Sequence, residues 1–165
     1  MKSPEEHFFH RLGLIGRYAD EMKRACAKTH SRVDYHGCDI VTESIVVRFN
    51  GVRSLFKDTE DQTSFHIDTL PFVIGFYCNE IVPRPSQIAI HSPRGRFAHP
   101  NSDGVRVCVG EALPKLLPAE MLLLHVYRII TFQKFNLASA VDADVVRYVY
   151  EQPPDTFPTD RRPLF

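Results

Sequence analysis

This chain has no excess of positive charge: 20 Lys and Arg stand against 20 Asp and Glu, for a formal net charge of zero. That balance excludes a nucleic-acid binder that relies on a basic surface. No apolar run approaches the ~18 residues that a membrane-spanning helix needs, so no membrane partner is expected. The N-terminus carries Glu5 and Glu6 and lacks the apolar core of a signal peptide. A cytoplasmic protein is the expectation. Cysteines are few, at 26, 38, 78 and 108, and no Cys-x-x-Cys occurs. This excludes a zinc knuckle and a thioredoxin-like motif. Disulfides are not expected in the cytosol, and three of the four thiols read as buried small hydrophobes. His30, His36, Cys38 and His66 are ligand types in a modest span, but their spacing fits no closed tetrahedral site. No metal or cofactor is therefore expected. No segment repeats.

What is present is ordinary for a folded protein: 165 residues, 44% hydrophobic and 24% charged, enough for one domain with one sizeable core. Ser3-Pro4-Glu5-Glu6 predicts a helix start, with Ser3 as cap, Pro4 at the first helical position and Glu6 completing a capping box. Phe8, Leu12, Ile15, Ala19, Met22 and Cys26 follow at spacings of four and three, which is one apolar helix face. Arg11, Arg17, Lys23 and Arg24 lie mostly off that face and read, by themselves, as a solvated surface.

Residues 30–70 read as β-structure with turns. The segment 45–49 is a short apolar strand, and Asn50-Gly51 after it reads as a turn. Residues 57–62 form a polar loop, and Phe65 and Ile67 mark a half-buried strand. In 72–78, Phe72, Ile74 and Phe76 face one way, with Val73, Gly75 and Tyr77 facing the other. Pro83 and Pro85 close that strand, and 87–90 is the last one. Strands joined by short turns in sequence order make an antiparallel meander.

Residues 91–98, with Pro93, Gly95, Arg94 and Arg96, form a loop. A central buried helix spans 118–135, with Leu122, Val126, Ile129, Ile130, Leu123 and Phe132 on its apolar faces and His125 as a satisfied core histidine. Residues 136–141 connect it to a last helix, capped by Asp142 and running to about Tyr150. Pro153 and Pro154 end that helix. The predicted class is α+β: an N-terminal helix, a four-stranded antiparallel meander, a loop, a central helix and a C-terminal helix, over 1–152, with a Pro-rich tail at 153–165.

The stretch 97–110 carries the chemistry. Pro100 biases His99 away from helix, and Asp103-Gly104 is a turn dipeptide. Val105, Val107 and Val109 alternate with Arg106, Cys108 and Gly110, so Cys108 points away from the valine face. One thiol therefore sits just past a rigid turn, which makes Cys108 a candidate nucleophile.

His99-Pro100-Asn101 followed by Cys108 resembles the active-site segment of ubiquitin-conjugating enzymes, which usually have one more residue between Asn and Cys. Leu116-Leu117-Pro118 sits where those enzymes often have Trp-Ser-Pro, and this chain has no tryptophan. The segment 81–90 is similar to a degenerate form of the family's Tyr-Pro-x-x-Pro-Pro run. The resemblance covers roughly 72–150 and is nearer to bacterial members of the superfamily.

It implies a UBC-like fold with Cys108 as the thioester carrier and His99 as a structural member of the triplet. It gives Asn101 as the amide that donates to an oxyanion or holds the loop that does. It implies that the first helix, through Arg11, Arg17, Lys23 and Arg24, docks an activating enzyme with a ThiF-like adenylating fold. The further implied partners are a ubiquitin-like protein and a protein target, in a bacterial conjugation system that can be antiviral. Glu111, Asp142 and Asp144 are candidates to orient an acceptor lysine. Two other readings stand beside it. One is a catalytically inactive module that binds a ubiquitin-like protein non-covalently. The other is a cysteine thioester or amide hydrolase, with His66 or His125 as base.

Overall fold

The computed structural model describes residues 3–78, 87–109 and 117–165. Helix α1 spans Pro4–Ala27. Its capping box forms: Ser3 Oγ accepts from the Glu6 amide at 3.2 Å, and Glu6 Oε2 accepts from the Ser3 amide at 2.7 Å. Ile15, Ala19, Met22 and Cys26 are buried on the expected face. Phe8, expected on the buried face, is 45% exposed, and the buried residues of the helix begin at Ile15.

Four strands follow: β1 (Val33–Asp39), β2 (Ser44–Lys57), β3 (Phe65–Tyr77) and β4 (Gln87–Ser92). They pair antiparallel in sequence order, the meander read from the chain. One difference concerns Asn50-Gly51. These residues do not end a strand; β2 runs through them. The register passes from Phe49↔Phe72 to Val52↔Leu70, so two residues of β2 oppose Pro71 alone. A bulge absorbs the positive φ of Gly51 (57°). It also accommodates Pro71, which cannot donate to the ladder of a central strand. Asn50 is spent on the bulge: its amide donates to Arg32 O at 2.7 Å, and Nδ2 donates to Ser31 O at 3.0 Å and Asp34 Oδ2 at 2.7 Å.

Helix α2 (Ala119–Ile130) covers one face of the sheet, burying Leu122, Leu123, Val126, Ile129 and Ile130 against a core that includes Ile45, Val47, Phe49, Phe72, Ile74 and Phe76. It stops at Ile130, short of the expected 135, because Phe132 leaves the helical conformation at φ 58°. That turn buries the Phe132 ring 4.5 Å from His99 and 4.7 Å from Phe157. Pro118, at the N-cap of α2, supplies no side-chain cap. Helix α1 does so instead: Glu21 accepts from the Ala119 amide at 2.9 Å, and Tyr18 donates to Leu117 O at 2.9 Å.

Helix α3 (Ala143–Glu151) starts on Asp142, whose carboxylate accepts from the Asp144 and Val145 amides. The tail after it packs. Thr159 donates to Thr131 O through both its amide (2.9 Å) and its hydroxyl (3.0 Å), and Leu164 is 2% exposed. The result is an α+β fold with an N-terminal helix, a four-stranded antiparallel sheet and two further helices. Among the described residues, no helix is long and apolar enough to cross a membrane.

Candidate functional site

The loop between β4 and α2 is anchored at three levels. At its base, the end of β2 holds it: Lys57 N donates to Arg96 O at 2.7 Å and Ala98 N to Leu55 O at 3.0 Å. Phe97 is fully buried against Phe72. The chain then turns through His99-Pro100-Asn101-Ser102, closed by Ser102 N donating to His99 O at 3.1 Å.

His99 is fully buried, and its Nδ1 accepts from the Asn101 amide at 3.0 Å. That bond puts the neutral ring's proton on Nε2. Burial pushes the imidazole down to about 3, with the Lys134 backbone pulling weakly the other way. The ring is a neutral strut of the turn.

Asn101 is 6% exposed and its amide is fully engaged. Oδ1 accepts from Asn136 N at 2.7 Å, while Nδ2 donates to Asn136 O at 2.8 Å and Ser139 O at 3.3 Å. Val141 N adds a bond to Pro100 O at 2.7 Å. The His-Pro-Asn turn is thus stapled to the connection between α2 and α3.

A second turn re-aims the chain. Asp103 Oδ1 accepts from the amides of Val105 (2.9 Å) and Arg106 (2.6 Å). Burial alone would raise this carboxyl, but these two bonds and the Arg106 charge hold it below the usual range. Gly104 has φ 80°, and a Cβ there would lie 3.2 Å from the Gly95 backbone, so any other residue is strained on two counts. Ser102 Oγ accepts from Gly104 N at 3.0 Å and donates to Arg106 O at 2.6 Å.

Beyond the turn, 105–107 lies along β4, with Ile90 N donating to Val105 O at 2.7 Å and Val107 N to Ile88 O at 3.0 Å. Val107 is 5% exposed. Cys108 faces outward and is exposed, and its amide donates to Asn101 O at 2.9 Å. The other thiols differ. Cys26 and Cys78 are buried, and burial pushes each up to about 12. Cys38 is half-buried, and desolvation raises it too.

His125, on α2, holds the far side of Cys108: its Nε2 donates to Val109 O at 3.2 Å. Partial burial lowers this imidazole, helped by the charges of Lys134 and Arg128. His66 lies on β3 with its ring near that of Phe56 (6.3 Å). On α1, Arg11 pairs with Glu43 and sits over Phe8, whereas Arg17, Lys23 and Arg24 are exposed. Asp142 is the cap of α3 and pairs with Lys57 at 2.7 Å; Asp144 pairs with Arg147 at 2.7 Å. Glu111, Leu116 and positions 81–86 lie outside the described residues. Among the described residues, no three His, Cys, Asp or Glu side chains gather as a metal site.

The structure therefore brings His99, Asn101 and Cys108 into one loop and leaves the basic residues of α1 elsewhere. Sequence reasoning missed Asn136, Ser139 and Val141. Their part is played largely by backbone atoms some 35 residues from the loop, which leave no mark in side-chain chemistry. Comparisons with protein-family models, curated proteins and solved structures find no match.

Proposed function

We propose that this chain is a ubiquitin-conjugating-enzyme-like carrier with a UBC-like fold. It accepts a ubiquitin-like protein from an activating enzyme onto Cys108 and passes it to an amine on a target protein. The observation that carries the reading is the setting of Cys108. It is an exposed thiol whose own amide is tied to Asn101 of a His-Pro-Asn turn, in the loop between β4 and α2. On the same resemblance, the system is bacterial and cytoplasmic, and α1 meets the activating enzyme through Arg11, Arg17, Lys23 and Arg24.

The chemistry asks little of the surroundings. The Cys108 thiolate attacks the incoming thioester carbonyl, a new C–S bond forms, and the activating enzyme's thiolate departs. The exchange is nearly isoenergetic, so a strong adjacent base is not needed. Aminolysis then passes through an oxyanion. Both Nδ2 hydrogens of Asn101 are already bonded to carbonyls, which favours Asn101 as holder of the loop over Asn101 as direct donor.

The hydrolase reading fares worse. His66 lies on β3 ten residues from Phe76, the strand partner of the Ile88 to which Val107 is bonded, and the Nε2 of His125 is bonded to Val109 O. The binding-module reading leaves the exposed cysteine without a task.

The test is co-expression with an activating enzyme and a ubiquitin-like protein encoded beside this chain, followed by a non-reducing gel. Wild type is expected to show a thiol-sensitive adduct of one ubiquitin-like mass. Cys108→Ala abolishes it, and Cys108→Ser gives a thiol-resistant adduct. A folded wild type that gains no adduct from a charged activating enzyme would leave the non-covalent module ahead.

A further inference from the structure

Away from Cys108, the packed tail and strands β2 and β3 enclose an open cleft of about 440 Å³. That is within the range of small-molecule sites. Its floor is rigid. The Asp160 side chain is 3% exposed and receives Arg162 through Nη2 at 2.6 Å and Nε at 2.9 Å, so this pair is internally neutralised. Arg162 Nη2 also reaches Gly51 O at 2.7 Å, tying the tail to the β2 bulge.

Two other arginines line the same cleft and are not neutralised. Arg53 has one long side-chain bond, from Nη1 to Thr159 O at 3.4 Å. Arg161 has one, from Nη2 to Asp155 O at 3.5 Å. Each guanidinium offers five donors in a planar fork suited to phosphate. Neither has a carboxylate partner among the described residues. Thr69 and Thr156 add hydroxyls to the wall, and Asp155 contributes the one carboxylate not matched by an arginine.

We propose that this cleft binds a small phosphate ester, with the phosphate on Arg53 and Arg161 and a hydroxyl of the esterified group on Asp155. The net charge of the lining argues for a single phosphate over a polyanion: Arg53, Arg161 and Arg162 against Asp155 and Asp160 leave one positive charge. The site is independent of Cys108 and of any conjugation reaction.

The experiment is isothermal titration of the full chain with inorganic phosphate, ribose 5-phosphate, adenosine monophosphate and, as control, ribose. Wild type is expected to bind the two esters saturably and more tightly than inorganic phosphate, and not to bind ribose. Arg53→Ala and Arg161→Ala, checked for unchanged thermal unfolding, are each expected to weaken ester binding by about tenfold or more, the size of a lost charged hydrogen bond. Asp155→Asn is expected to erase the preference of ester over inorganic phosphate. Cys108→Ala is expected to bind like wild type, which keeps this result separate from the fate of the thioester reading. The absence of saturable ester binding would overturn the proposal, and so would binding that both arginine variants leave unchanged.

Discussion

At the scale of single residues, the loop before Cys108 depends on two buried side chains, Asn101 and His99. Asn101→Ala removes three hydrogen bonds, two of them to Asn136 and one to Ser139. Both partners are exposed, so water replaces part of what is lost. The expected cost is about 2 kcal/mol, read from urea denaturation midpoints at constant m-value. His99 makes a prediction in pH. Its folded-state value is about 3, below the ordinary 6.5, so between those limits the unfolded chain binds a proton that the native chain refuses. Stability contributed by the neutral ring is full above about pH 6.5 and is lost as pH falls toward about 3. His99→Asn keeps an acceptor near the position of Nδ1 and cannot titrate. It is expected to flatten the stability profile in that window by one proton's worth, about 1.4 kcal/mol per pH unit. An unchanged slope would mean that the imidazole is hydrated and titrates normally.

At the scale of elements, the turn at Gly104 and the strand it launches behave as one unit. Gly104→Ala must place a Cβ against the Gly95 backbone at 3.2 Å, at a φ of 80°. The expected loss is about 1–3 kcal/mol, measured by thermal unfolding. Alkylation of Cys108 by iodoacetamide is also expected to change in rate, because 105–107 is displaced from β4. Asp103-Gly104 was legible from the chain, as were the capping box of α1 and the alternation of Phe72, Ile74 and Phe76. Each rests on neighbours in sequence. Asn50-Gly51 misleads, since the dipeptide reports only that a positive φ is cheap, and a bulge uses that freedom as well as a hairpin does. The clue lay elsewhere, in Pro71, which needs a gap in the ladder. The end of α2 was misjudged for a different reason. Phe132 and Phe135 continue the apolar spacing past Ile130, but Phe132 turns toward His99 and Phe157, and those partners lie more than 20 residues away. The staple on Asn101 was hidden for the same reason, and the sequence offered the thiol and its turn without what holds them.

At the scale of the whole molecule, the tail is part of the site's foundation. The Phe132 ring lies 4.7 Å from that of Phe157 and 4.5 Å from that of His99, joining the tail to the His-Pro-Asn turn. Leu164→Ala, at a position 2% exposed, is expected to cost about 2–4 kcal/mol in urea denaturation. A loss below about 0.5 kcal/mol, the size usual for surface substitutions, would mean that the tail's packing adds nothing to the fold. The outward face of Cys108 has a last consequence. Its sulfur meets solvent, while its amide is bonded to Asn101 O and the preceding amide to Ile88 O. The two ends of one residue therefore answer to different clocks. A thiol reagent samples the native state directly, while the backbone deuterium exchange of Val107 and Cys108 waits for the sheet edge to open. A cysteine that reacts within seconds and exchanges its amide over hours would be open to chemistry without being mobile.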